Sequence, residues 1–286
     1  MNNQRVLLAE SGATKTEWRL LSPEGILTQI RTTGYNPNVM TEEAIRLDLA
    51  EARSGALAGV EVEKLVFYGA GIGGDSQESL MRRVLQGCWP QSELEVYHDL
   101  AASARSTPRS TGIACILGTG SNSCLYQDHD VKLRRGGHGY LFGDEGSGMD
   151  LGRHLIMGLL QKRFSDSVRN FVESQEGLSV YELKLAILKD PTPNVRMARL
   201  ARHLDELVHL EEIQSMILNR FLAFLDATVC LYADFQAYPV DVMGSIGWYF
   251  QELFAEAARL RKLNMGTFVA NPIDHLVQFH LRMLKG

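Results

Sequence analysis

The chain has 286 residues, 45% hydrophobic and 22% charged, with 26 glycines, a length that can bury one large core or two modest ones and a composition of ordinary globular kind. Lys and Arg number 29 against 34 Asp and Glu; without a basic excess to neutralise a phosphate backbone, nucleic acid is not an expected partner. The polar start Met1 to Arg5 fits no signal peptide, no uninterrupted apolar run approaches a membrane span, and Cys88, Cys115, Cys124 and Cys230 lack C-x-x-C spacing, so a reduced, cytoplasmic protein without iron–sulfur or structural zinc is expected, with no membrane partner.

Arg5 to Ala9 (RVLLA) reads as a buried strand that runs into the polar turn Glu10-Ser11-Gly12-Ala13-Thr14-Lys15-Thr16, after which Glu17 to Ser22 (EWRLLS) returns as a second strand. Thr41 followed by two glutamates is a helix start, and Thr41 to Arg53 carries apolar residues at helical spacing. Lys64 to Gly69 (KLVFYG) is a further strand, leading into Ala70-Gly71-Ile72-Gly73-Gly74. Glu95 to Tyr97 is a short one, with Asp99 at its end just ahead of a helical pattern from Leu100.

A comparable order begins again after Ser110. Ile113 to Leu117 is an apolar strand, Gly118-Thr119-Gly120-Ser121 a polar glycine turn, and Asn122 to Gln127 a returning strand. The repeat predicts two related domains facing a cleft. Residues 150 to 265 are mostly charged and aliphatic at helical spacing, although Tyr238 to Val242 leads as a strand into Met243-Gly244-Ser245-Ile246-Gly247, followed by a helix pattern from Trp248 to Leu260. The last segment has apolar residues at positions 276, 277, 279, 281 and 284, spaced to form one helical face from Pro272 onward.

Glycine turns of this kind let backbone N–H groups approach an anion, because no Cβ holds the oxygens away, and Ser or Thr adds a hydroxyl donor. There is no G-x-x-x-x-G-K-[ST], which excludes a P-loop, and the glycines at 69, 71 and 73 lack the third spacing of a dinucleotide fingerprint. Any one turn alone can equally be a tight loop needing positive φ.

The segments from Glu10 to Trp18, Asp99 at a strand end, Ile116 to Asn122, Gly136-Gly137-His138-Gly139 running into Gly143-Asp144-Glu145-Gly146-Ser147-Gly148, and Gly244-Ser245-Ile246 occur in the order seen in BadF/BadG/BcrA/BcrD-type ATPases and N-acetylglucosamine kinases, which the chain resembles over essentially its whole length. These belong to the actin, heat-shock-protein and sugar-kinase superfamily. The resemblance implies an α/β fold of two ribonuclease-H-like domains, the actin-like ATPase fold, flanking an ATP/sugar cleft. The expected division is residues 1–109, residues 110–271, and a C-terminal helix over 272–286 that packs back on the first domain.

The resemblance further implies transfer of the γ-phosphoryl of ATP to the 6-hydroxyl of an amino sugar such as N-acetylglucosamine. Gly12, Ala13 and Thr14 resemble a first phosphate loop, Gly118, Thr119, Gly120 and Ser121 a second, and Gly244 and Ser245 an adenosine motif. Lys15 reads as a phosphate partner or as a solvated turn lysine. Glu10 stands where the superfamily usually has an Asp that holds Mg2+ through water; the extra methylene is a departure, and magnesium tolerates little change of geometry. Asp99 resembles the catalytic aspartate that orients and deprotonates the acceptor hydroxyl, and on local sequence it can equally cap the following helix. Asn36, Asn122, Gly137, Gly139 and Asp144 resemble sugar contacts, with an Asx-type turn before Pro37 as the other reading of Asn36 and a helix-capping role for Glu145. The partners so implied are a small sugar and ATP, with a homodimer left open. Two other readings remain at this point: an ATPase activator of a partner enzyme, for which the cysteine arrangement is wrong, and a sugar or nucleotide sensor without turnover.

Overall fold

The structure, a computed structural model, describes residues 5–285. Met1 to Gln4 and Gly286 lie outside it, and with them the polar start and the outer ends of the expected domains 1–109 and 272–286. The chain divides into two compact units, one made of Met1–Pro108 and Asn271–Gly286 and the other of Arg109–Ala270.

In the first unit, β1 (Val6–Ser11), β2 (Thr16–Ser22) and β3 (Gly25–Thr32) form an antiparallel meander, and β4 (Lys64–Gly69) and β5 (Glu93–His98) add in parallel on the other side of β1, giving the order β3-β2-β1-β4-β5. Helix α1 (Glu42–Ser54) joins β3 to β4, and α2 (Asp75–Cys88) joins β4 to β5. Because successive side chains of a strand point to opposite faces, Leu7, Ala9, Trp18, Leu20, Leu65 and Phe67 pack with Ile45, Leu49, Met81 and Leu85 of α1 and α2. The opposite face sets Val6, Leu8, Leu21, Val66 and Tyr68 against Ala101 and Ala102 of α3 (Asp99–Ser106) and against Ile273, Leu276 and Val277 of the C-terminal helix (Pro272–Lys285).

The second unit repeats this topology. Strands β6 (Thr111–Leu117), β7 (Ser121–Gln127) and β8 (Asp130–Gly136) form the meander, with β9 (Pro239–Met243) and β10 (Asn264–Val269) in parallel, in the order β10-β9-β6-β7-β8. Where the first unit has α1, the second inserts α4 (Gly148–Leu160), α5 (Asp166–Glu176), α6 (Val180–Leu188), α7 (Pro193–Leu200), the single turn α8 (Leu204–Leu207) and α9 (Glu211–Ala227). Helices α10 (Ser245–Tyr249) and α11 (Gln251–Leu260) then join β9 to β10, and the C-terminal helix is α12. The two units are the ribonuclease-H-like pair expected.

Several elements depart from the sequence reading for one physical reason. Strands β3, β8 and β10 border the sheets; β3 and β8 are mostly solvent-facing and β10 is half-buried along most of its length, so none carries a clean apolar alternation by which to be read. The single helix expected over Trp248 to Leu260 is two helices broken at Phe250, whose backbone leaves the helical region. One stretch, Glu211–Leu231, is long and apolar enough to cross a membrane by length and composition; its Ile213, Ile217, Phe221, Phe224 and Leu225 are all buried in the core of the second unit.

Candidate functional site

The first glycine turn closes the β1–β2 hairpin. The Gly12 N–H donates to the Lys15 carbonyl (2.9 Å), and the hydroxyls of Ser11 and Thr16 bond across the two strand ends (2.8 Å). The loop after β3 supports the turn from behind. Tyr35 N–H donates to Ser11 Oγ (2.9 Å), and Thr16 Oγ1 donates to the Thr33 carbonyl (2.7 Å). Gly34 lies so near that a Cβ there would come within 2.8 Å of the backbone nitrogens of Thr14 and Lys15. Lys15 is not a free turn lysine: its ammonium pairs with Glu17 (2.9 Å), which also receives Arg19 (3.3 Å). Burial opposes the ionised Glu17, yet those two cations hold its carboxyl below the usual range.

Glu10 stands one residue before the end of β1 with its carboxyl pushed up to about 7, chiefly by burial and then by the negative charge of Asp99, with Lys15 acting in the opposite sense. Glu10 and Asp99 thus lie at the ends of β1 and β5, on the same side of the sheet and separated by β4, near enough for one charge to act on the other. Asp99 is the first residue of α3, and its Oδ1 accepts from the Leu100 N–H (2.9 Å). The helix cap is not Asp99. His98 fills that position, its Nδ1 accepting from the Ala101 N–H (3.0 Å), so the ring is deprotonated at that nitrogen.

Asn36 adopts the Asx-type turn: its Oδ1 accepts from the Asn38 N–H (3.0 Å). The same carboxamide packs against Gly71, where φ is +79° and any Cβ would overlap the Asn36 side chain. Gly71 thus belongs to the Asn36 loop, a relationship the glycine-rich segment after β4 hinted at without specifying.

In the second unit, the Gly118 N–H donates to the Gly120 carbonyl (3.0 Å) to close the β6–β7 turn. Asp144, at φ +62°, does not project freely: its Oδ1 accepts from the Ser121 N–H (3.1 Å), while Ser121 Oγ donates to the Glu145 carbonyl (2.8 Å). A Cβ on Gly120 would lie 3.1 Å from Oδ2 of Asp144, so glycine there makes room for the carboxylate. Burial raises the Asp144 pKa, the Ser121 N–H opposes, and the nearby Glu145 and Asp150 charges add to the rise. One N–H of the second turn is therefore engaged by a side chain expected to read sugar. Asn122 uses its Oδ1 to accept from the Ser123 N–H (2.9 Å) and lies against Gly137, whose Cβ position is 2.6 Å from Asn122 Nδ2. Gly139, at φ +79°, has open space around it.

The same turn is gripped from two helices. Gly148 N–H donates to the Gly118 carbonyl (2.8 Å), and Met149 N–H to that of Thr119 (3.2 Å). Gly244, at φ +105°, stands where a Cβ would come within 2.5 Å of the Leu117 carbonyl oxygen, which sets Ser245 and α10 directly beside the turn. The cap of α4 is Ser147, accepting from the Asp150 N–H (3.2 Å), and not Glu145.

Asp150 escaped the sequence reading. It is 0% exposed and its carboxylate accepts from Gly146 N–H (2.9 Å), Arg220 Nε (2.7 Å) and Arg153 (2.6 Å). Burial alone would raise its pKa; His154, Arg220 and the Gly146 amide hold it well below the ordinary carboxylate range. The only local signal was an acid in the first turn of a helix, which ordinarily reads as a surface complement to the helix dipole.

No protein-family model and no curated protein sequence matches the chain. Among solved structures, a protein from Porphyromonas gingivalis assigned as an N-acetylglucosamine kinase superposes with a TM-score of 0.88 at 29% identity, covering 97% of this chain and 99% of its own. One from Chromobacterium violaceum with the same assignment gives 0.73 at 19% identity, over 96% and 98%. A ROK-family glucokinase from Streptomyces griseus, in complex with glucose and AMPPNP, gives 0.56 at 14%, over 96% and 97%. The fold is the two-domain actin-like ATPase fold found in sugar kinases. Within that class, the chain is similar to the two proteins assigned as N-acetylglucosamine kinases.

Proposed function

We propose that the chain is an ATP-dependent sugar kinase that transfers the γ-phosphoryl of ATP to the 6-hydroxyl of an amino sugar, N-acetylglucosamine above all. The observation that carries this reading is the placement of Glu10 near the end of β1 and Asp99 just after β5, strands that run parallel through β4 and so end on one side of the sheet with the Gly12–Lys15 turn; Glu10, pushed up to about 7 chiefly by burial, also feels the Asp99 charge. A buried acid within reach of a second acid's charge is costly to fold, and such pairs mark sites built for a cation or a proton. Asp99 accepts the proton of the acceptor hydroxyl as its oxygen forms a bond to the γ-phosphorus and the bond to ADP breaks; positioning and charge neutralisation supply the remaining acceleration.

The donor set also fits Mg2+, a hard cation that takes carboxylate oxygens and water. Glu10 would hold the ion, which when bound neutralises charge on the transferring phosphates. On this reading the nucleotide falls to Gly12, Ala13, Thr14, Lys15, Gly118, Thr119, Gly120, Ser121, Gly244 and Ser245; the Gly12 and Gly118 amides close their own turns and Ser121 is held by Asp144 and the Glu145 carbonyl, so their part is to shape the loops. Asn36, Asn122, Gly137, Gly139 and Asp144 read the sugar. The cysteines argue against a cluster-bridging activator: Cys115 and Cys124 are buried on adjacent strands but opposite Ser123 and Ala114, so they face opposite sides of the second sheet, and burial raises the Cys115 thiol well above its ordinary value.

ADP release measured with N-acetylglucosamine, glucosamine, a muramic acid derivative and glucose tests the reading. Sugar-stimulated turnover is the expected result. Turnover indifferent to sugar would favour an activator, and binding without turnover a sensor.

A further inference from the structure

The loop that carries Asp144 is fixed from a distance. Its conformation is unfavourable on its own: Asp144 and Gly146 both have positive φ, +62° and +69°, and a non-glycine residue in that region is strained unless its surroundings hold it there. The holding group is Asp150. One carboxylate oxygen takes the Gly146 N–H (2.9 Å) and the Arg220 Nε (2.7 Å) together, and the other takes Arg153 (2.6 Å).

Arg220 comes from α9, seventy positions along the chain from Asp150, and its helix closes over the loop. A Cβ on Gly146 would lie 3.1 Å from Phe224 Cβ, 3.2 Å from Phe221 Cδ1 and 3.3 Å from the Arg220 carbonyl oxygen. Beyond Gly146, Ser147 N–H donates to the Asp144 carbonyl (3.2 Å), and the Asp144 carboxylate accepts the Ser121 N–H (3.1 Å). Charge-assisted hydrogen bonds at Asp150 and at Asp144, joined through the Gly146–Ser147 backbone and its turn bond to the Asp144 carbonyl, thus connect α9 to the β6–β7 turn. Such bonds to buried charges are the strong ones, and losing one partner leaves an uncompensated charge.

We propose that Arg220 and Asp150 are positioning residues that hold Asp144 and the Gly118–Ser121 turn in one geometry, so that α9 sets sugar affinity without touching sugar. This deepens the sugar-kinase reading and rests on it. Arg153 shares the carboxylate but bonds the oxygen that does not hold Gly146, so it serves as the internal comparison.

Amide hydrogen exchange and steady-state kinetics of Arg220→Gln, Arg220→Lys and Arg153→Gln test the proposal on the full chain. Both Arg220 variants are expected to speed exchange at the Gly146 and Ser121 amides about ten-fold, with β9 and α11 unchanged, and to raise the sugar KM about ten-fold while kcat stays within a few-fold. Arg153→Gln is expected to move neither readout. If Arg220→Gln does not fold, Arg220→Lys keeps the charge, loses the Nε–H donor and decides alone. Exchange at Gly146 and Ser121 equal to the unsubstituted protein, or spread evenly through the second unit, would overturn the proposal. If no sugar supports turnover in the unsubstituted protein, the kinase reading fails while the exchange comparison still decides the loop.

Discussion

Gly34 sits directly behind Gly12: a Cβ on Gly34 would overlap the Gly12 carbonyl oxygen and press on the Thr14 and Lys15 amide nitrogens. The turn expected to meet phosphate is therefore shaped partly by a glycine more than twenty residues away. Gly34→Ala is expected to push the turn forward, costing about 1–3 kcal/mol of stability as overpacking does and raising the ATP KM about ten-fold. Thermal unfolding and ATP-dependent kinetics check both effects; an unchanged ATP KM would detach the turn from nucleotide binding.

Substitutions at Asp99 and His98 test catalysis and capping separately. Because His98 supplies the cap, Asp99→Asn is expected to lower kcat about 10^2–10^4-fold while leaving thermal stability and ATP affinity nearly unaltered. His98→Ala is expected to do the reverse, losing about 1 kcal/mol as a removed cap does and sparing most of kcat. Parallel kinetics and calorimetry on the two variants distinguish the roles, and near-normal turnover in Asp99→Asn would remove it from the mechanism.

Gly244 meets the second turn as Gly34 meets the first. With φ at +105° and the Leu117 carbonyl 2.5 Å from the Cβ position, Gly244→Ala combines backbone strain of about 1–3 kcal/mol with displacement of the Gly118 amide. The expected outcome is weakened ATP binding by about ten-fold with the sugar KM less affected. Binding of a non-hydrolysable ATP analogue by calorimetry measures it.

His280 predicts an acid-side loss of stability. It lies in the buried face of α12, bonded to the Tyr68 hydroxyl (2.9 Å), which also receives Arg105 (2.8 Å). Burial first and the Arg105 charge second pull its pKa down to about 4; Lys64 nearby acts in the same sense and Glu95 against it. The folded ring stays neutral while the unfolded one gains a proton below about 6.5, so stability is full above that pH and falls as pH drops toward 4. The loss amounts to about 3 kcal/mol at most. His280→Leu is expected to flatten that slope between pH 6.5 and 4, as followed by urea unfolding; an equal slope in both proteins would refute the assignment.

The core strands were legible because they are buried: Val6 to Ala9, Lys64 to Gly69 and Ile113 to Leu117 are apolar runs in the middle of their sheets. The border strands β3 and β8 were not, since a strand facing water on most of its length has no pattern to betray it, and half-buried β10 shows no clean alternation either. Helix α12 illustrates both sides. Its apolar spacing was readable, whereas His280 in the same buried face was not, because a histidine joins a core only when a partner such as Tyr68 waits there. At the site, Glu10, Asp99 and the glycine turns stood out by type and order, but Asp150 looked like any acid near a helix start.

The amino-acid order by itself set the repeated strand–turn–strand units, the glycines at both turns and the acids at strand ends, because these are demands of local backbone geometry and hydrophobic periodicity. The folded chain alone decided that Glu10 is buried within reach of the Asp99 charge, that His98 rather than Asp99 caps α3, that Asp144 grips the Ser121 amide, and that Arg220 bonds Asp150. Those relations join residues distant along the chain, and the energy of a buried charge depends on its neighbours in space, which no spacing along a sequence records.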